Sequence, residues 1–112
     1  MGSLFEVIVQ EILPTARALV AKKLIQAYGL SQKETASRLG ISQPAVSQYK
    51  RELRGSRMHI FKDNPQVIEK IDEIAKRIAS GQLTQDKASL EICGLYRFIK
   101  PEDFNIEEFL GV

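Results

Sequence analysis

The sequence predicts an all-α protein in which two short helices joined by a tight turn form an N-terminal core, followed by a C-terminal helical hairpin. Three observations predict it. Between Leu30 and Arg54, cap residues and a glycine follow one another so that one helix stops and the next starts within about three residues. From Thr15 to Tyr28 the apolar residues fall on one helical stripe. Beyond residue 62, two segments each repeat apolar residues at spacings of four, three and four.

Leu4 to Leu13 is strongly apolar, and Phe5-Glu6-Val7-Ile8-Val9 is β-rich by composition. Glu6, Gln10 and Glu11 nevertheless leave an apolar remainder at helical spacing, and the length favours a helix. Pro14 either ends this helix and opens the next, or kinks a continuous one. In the helix from Thr15 to Tyr28, Ala16, Leu19, Val20, Leu24, Ala27 and Tyr28 make the stripe, and Gly29 ends it. Arg17, Lys22, Lys23 and Gln26 stay outside. The three cations suit a phosphate backbone, although such residues more often make a solvated face.

Ser31 with Glu34 three residues later is a capping box. The helix it opens carries Thr35, Ala36 and Leu39 on one side. Gly40 can end that helix in the left-handed conformation, Ser42 can cap the next, and Pro44 falls in its first turn. Ala36 permits close crossing, while Val46 and Tyr49 take the buried side of the second helix beside Ile41. Gln43, Pro44, Ser47, Gln48 and Arg51 share the opposite face, which turns basic at Lys50, Arg51, Arg54 and Arg57. Amides and hydroxyls read base edges, and cations hold phosphates. Gln43 and Gln48 are therefore expected at bases. Gln32, Ser42, Ser47, Lys50, Arg51 and Arg54 are expected at phosphates, and Arg38 and Pro44 complete the expected DNA-binding set. An inert αα-hairpin has no need of an amide-rich face beside a basic end.

This arrangement resembles the helix-turn-helix repressors of the phage-repressor (Xre-like) superfamily. The matching positions are Gln32, Ala36, Gly40, Val46 and the run Ser42-Gln43-Pro44-Ala45-Val46-Ser47, and the resemblance covers about a fifth of the chain. With Leu13-Pro14-Thr15-Ala16-Arg17 upstream, the chain is similar to small archaeal predicted transcriptional regulators, some of which carry a ligand-binding domain after the helices. The resemblance implies sequence-specific binding of double-stranded DNA and a role as a transcriptional regulator. Some of these relatives carry a second cysteine three residues after the position of Cys93, where this chain has Tyr96. That puts any metal or redox role in doubt, and Cys93 is expected to be a small buried apolar residue.

Residues 54–62 read as a connector in which Gly55-Ser56 breaks the helix and Ile60-Phe61 docks on the core. His59, the single histidine, has no neighbouring metal ligands and reads as a surface or capping residue. Asp63 is the expected cap of the next helix, with Pro65 in its first turn. Its seam is Val67, Ile71, Ile74 and Ile78, with Ile68 and Ala75 alongside; Ser80-Gly81-Gln82 stops it. Thr84 caps a second helix with the seam Ala88, Ile92, Leu95 and Ile99, widened by Leu83, Leu90, Cys93, Tyr96 and Phe98. Two matched seams and a short turn read as an antiparallel hairpin. Two such hairpins are expected to meet across a two-fold axis and make a homodimer through Val67, Ile71, Ile74, Ile78, Ile92, Leu95, Tyr96 and Ile99. The alternative is that the seams pack onto residues 4–28 of the same subunit. The tail from Pro101 to Val112 places Phe104, Ile106, Phe109 and Leu110 among acids and is expected to be an amphipathic helix docked on its own core or on a partner subunit.

At 112 residues the chain is one domain or one with a small appendage, divided here into a DNA-binding part, 1–62, and a hairpin and tail, 63–112. The net charge of +2 hides an asymmetry: ten Lys/Arg against four acids before residue 63, six against ten after it. That division suggests DNA binding in front and association or sensing behind. The single cysteine excludes an intramolecular disulfide, no apolar run approaches the ~20 residues of a membrane span, and no basic stretch precedes the apolar N-terminus. The expected location is the cytoplasm. With no Gly-rich phosphate loop, and no Ser or Cys nucleophile near a histidine base, an enzyme is not expected, nor is a metal or cofactor. Control by a small-molecule effector stays open. A non-specific nucleoid protein and an antitoxin-like DNA-binding module with a protein partner are the alternative readings.

Overall fold

The computed structural model describes residues 4–54 and 58–100, and every regular element among them is helical. In order these are α1 (Leu4–Val7), a π-helical segment (Ile8–Ile12), α2 (Leu13–Gln26), α3 (Gln32–Leu39), α4 (Gln43–Ser47), α5 (Tyr49–Leu53), α6 (Met58–Lys62), α7 (Pro65–Ala79), α8 (Gln85–Cys93) and a 3₁₀ segment (Gly94–Phe98). The expected amphipathic tail lies outside the described residues, as does Arg57.

Pro14 does not end the first helix. The chain stays helical through it, and the Leu13 N–H reaches back five residues to the Ile8 carbonyl, the bonding of a π turn. The cause is local: proline brings no N–H to the carbonyl four residues earlier, and its ring crowds that carbonyl. Widening the helix relieves the crowding. Thr15 Oγ1 donates to the Glu11 carbonyl at 3.0 Å in the same turn.

α2 is the pillar of the fold and packs against α3, α5, α7 and α8. Ala16, Val20 and Leu24 are fully buried along it, whereas Ala27 and Tyr28 fall beyond its end and are exposed. The chain leaves α2 through Gly29 in the left-handed conformation (φ 70°), and the Leu30 N–H closes back onto the Leu24 carbonyl at 3.0 Å.

After residue 62 the two apolar seams form as predicted, but they are used within one chain. α7 packs on α2 and α8, and α8 also packs on α3, so the hairpin embraces the N-terminal helices. A single hydrophobic cluster runs from Val7 to Ile99. The boundary at residue 62 therefore separates charge, not cores. α6 drives Ile60 and Phe61 fully into this cluster. The cap of α7 is Asn64, not Asp63. Asn64 is buried: its Nδ2 donates to the Ile60 carbonyl at 2.7 Å and its Oδ1 accepts from the Lys100 N–H at 3.2 Å, which ties α6 to the chain after the 3₁₀ segment. Thr84 caps α8 as expected, accepting from the Lys87 N–H. Across the hairpin, Arg77 Nη1 lies 2.8 and 3.0 Å from the two Glu91 carboxylate oxygens.

Candidate nucleic-acid interface

The two-helix unit is built from local hydrogen bonds. Ser31 Oγ accepts from the Glu34 N–H at 3.0 Å and starts α3. The Glu34 carboxylate turns forward instead and meets Arg38 at 3.0 Å, one helical turn on. Gly40 ends α3 in the left-handed conformation (φ 68°), which returns the Gly40 N–H to Ser37 and the Ile41 N–H to Ala36. Ser42 Oγ then accepts from the Ala45 N–H at 3.2 Å and starts α4. Thr35, Ala36, Leu39, Val46 and Tyr49 are buried, so both helices are held from behind by the stripe that the spacing predicts.

The second helix is not continuous. Gln48 sits at φ −95°, ψ 6°, and its N–H bonds three residues back to Ala45, so a tightened turn separates α4 from α5. Gln43, Pro44, Ser47, Gln48, Lys50, Arg51 and Arg54 are all exposed on this broken helix. Ser47 Oγ donates to the Pro44 carbonyl at 2.8 Å, which leaves its acceptor lone pairs unused. Among the described residues, the side chains of Gln43, Gln48, Lys50, Arg51 and Arg54 make no hydrogen bond or ion pair within the chain. The face thus offers two unsatisfied amides, one hydroxyl and three cations to an external partner.

α2 borders this face on both sides. Arg17 joins Gln48 and Glu52 around an indentation of about 150 Å³ floored by Ala18, Ala21 and Val46. Lys22 and Gln26 stand beside Lys50 and Arg54 on the other side. From sequence alone, Arg17 and Lys22 lie on a helix face that suits phosphate or solvent. Their helical register on α2 was legible, but the crossing of α2 over α5 was not.

Two groups of predicted residues stand elsewhere. Gln32 is exposed at the start of α3. Arg38 is not free to make a phosphate contact: its Nη1 donates to the Ile78 carbonyl at 2.6 Å while its Nε donates to Glu34 at 3.1 Å. It is a tie between α3 and α7, because the end of α7 presents carbonyls that a nearby guanidinium satisfies. The predicted dimer set is corrected more fully. Val67, Ile71, Ile74, Ile78, Ile92, Leu95 and Ile99 are at most 4% exposed in a single chain and have no surface left for a second copy. Only Tyr96, at 40%, remains outward. Cys93 is exposed rather than buried, because α8 turns its Ala88 and Ile92 side inward.

Among the described residues no group of three His, Cys, Asp or Glu is placed to hold a metal ion, and no helix is long and apolar enough to cross a membrane. No curated protein and no solved structure matches the chain. Residues 22–57, from the second half of α2 to beyond the end of α5, match the model of a protein family described as Helix-turn-helix, so about a third of the chain is similar to that family.

Proposed function

We propose that the protein binds double-stranded DNA in a sequence-specific manner and acts as a homodimeric transcriptional regulator in the cytoplasm. One observation carries this reading: Gln43, Pro44, Ser47, Gln48 and Arg51 are exposed together on α4 and α5, which Val46 and Tyr49 fix from behind, and the side chains of Gln43, Gln48 and Arg51 have no partner among the described residues. A face of amides and hydroxyls that ends in cations has the chemistry of major-groove reading beside phosphate holding. Gln43 and Gln48 each present a donor and an acceptor to adenine, and each good pair discriminates by about 1–3 kcal/mol. A two-fold dimer would set two such helices about 34–36 Å apart on a near-palindromic site. Its contact surface lies outside the α7–α8 seam, and the exposed Leu90 and Tyr96 are where such a contact would start.

The test is selection of binding sites from random duplex DNA, followed by affinity measurement at about 150 mM salt. Enrichment of an inverted repeat bound roughly 10³-fold over random duplex supports the proposal. Binding without enrichment, collapsing as salt rises, replaces it with non-specific architectural binding.

A further inference from the structure

Between α2 and α5 runs a groove of about 360 Å³, walled by Lys22 and Gln26 on one side and by Tyr49, Lys50, Leu53 and Arg54 on the other. Each wall is a set of residues four apart, so the side chains stack one turn above another and face across the gap. Gln26 Nε2 and Tyr49 Oη meet at 3.5 Å between the walls. No carboxylate lines the groove. Among the described residues Lys22, Lys50 and Arg54 have no ion-pair partner, whereas Lys23, Arg38, Lys70 and Arg77 each have at least one. Three like charges drawn together without a counter-charge repel, and an anion seated among them relieves that repulsion.

The position of the groove says which anion. Gln43, Ser47, Lys50 and Arg54 follow one another at spacings of four, three and four, so the α5 wall prolongs one edge of the outer face of α4. A duplex backbone flanking bases at α4 would continue over Lys50 and Arg54 and meet Lys22 across the gap. We propose that this groove seats a phosphodiester of the bound duplex, and that Lys22 is a backbone-holding residue contributed by the supporting helix rather than by the two reading helices. The inference rests on the DNA-binding reading above and extends it to α2.

The experiment measures duplex affinity against salt for the full chain, for Lys22→Gln and Lys22→Arg, and for Lys76→Gln, an exposed α7 cation with no ion-pair partner among the described residues. Lys22→Gln is expected to weaken selected and random duplex alike, by roughly threefold or more, and to flatten the slope of log affinity on log salt by about one. Lys22→Arg is expected to keep the wild-type slope, and Lys76→Gln to change nothing. Inorganic phosphate, added at constant ionic strength, is expected to compete only at concentrations far above those of duplex phosphate. Competition at matching concentrations would assign the groove to a free anion and overturn the proposal. A slope unchanged by Lys22→Gln, with the parent still binding duplex, overturns the groove assignment alone. Failure of the parent to bind any duplex at low salt overturns the DNA reading and this inference with it.

Discussion

Arg38 in the first helix of the two-helix unit donates to the main-chain carbonyl of Ile78, one residue before the end of α7, at 2.6 Å. Its other guanidinium nitrogens meet Glu34 on its own helix at 3.0 and 3.1 Å. One side chain thus fastens the two-helix unit to the hairpin, and a residue expected at DNA is occupied inside the protein. Arg38→Ala should lower unfolding free energy by about 1 kcal/mol, since the bond is charge-assisted but half-open to water. Urea titration measures this. Duplex affinity of the folded variant should keep the parent salt slope; a slope flattened by one unit with stability unchanged would return Arg38 to the phosphate set.

Base reading assigns a different signature to Gln48. Gln48→Ala should cost about 1–3 kcal/mol on the selected site and little on random duplex. Equal losses on both, measured by titration at one salt concentration, would remove Gln48 from the reading face. Gln48 shares an indentation with Arg17 and Glu52, and Ser47 and Gln43 are the next positions to replace.

The seam supplies a prediction about oligomeric state. Ile74 is 3% exposed within one chain, so Ile74→Ala removes buried methyl groups from an intramolecular core and should cost about 2–5 kcal/mol. The difference in unfolding midpoint between parent and variant should not change with protein concentration. A midpoint shift of the variant that vanishes at high concentration would reinstate the seam as an interface.

Thr35 is fully buried, and its Oγ1 has no hydrogen-bond partner among the described residues. An unsatisfied buried hydroxyl costs free energy that an apolar group of the same shape does not. Thr35→Val should therefore leave stability unchanged or raise it by about 1 kcal/mol, whereas Thr35→Ser keeps the hydroxyl, loses a methyl and should destabilise. Thermal unfolding of the two variants decides between this and a hidden partner for the hydroxyl.

Gly40 tests how the turn is held. Its φ of 68° is costly for a residue with a Cβ, and a Cβ there would collide with the side chain of Gln85 at the start of α8. Gln85 is flexible and can swing away, while the backbone cannot. Gly40→Ala should cost about 1–2 kcal/mol, and adding Gln85→Ala should recover less than half of that loss in a double-mutant cycle.

The features legible in the sequence are those set by neighbours within one or two turns. Ser31, Gly40, Ser42 and Thr84 cap or end helices where the spacing says they do, because a cap needs only its own side chain and an N–H three residues away. The four-three-four seams identify the buried stripes of α7 and α8 for the same reason. Tertiary structure decided what covers each stripe. An apolar seam fits a second copy or its own core equally well, and only the crossing of α2 over α7 fills it from within. Long cations are undecided in the same way. Arg38 and Lys22 both read as outward helix residues, yet one reaches a carbonyl forty positions away and the other faces Lys50 and Arg54 across a groove. Burial direction follows from period along one helix. The destination of a flexible charged side chain depends on which helix end or groove the fold brings beside it, and no local rule encodes that.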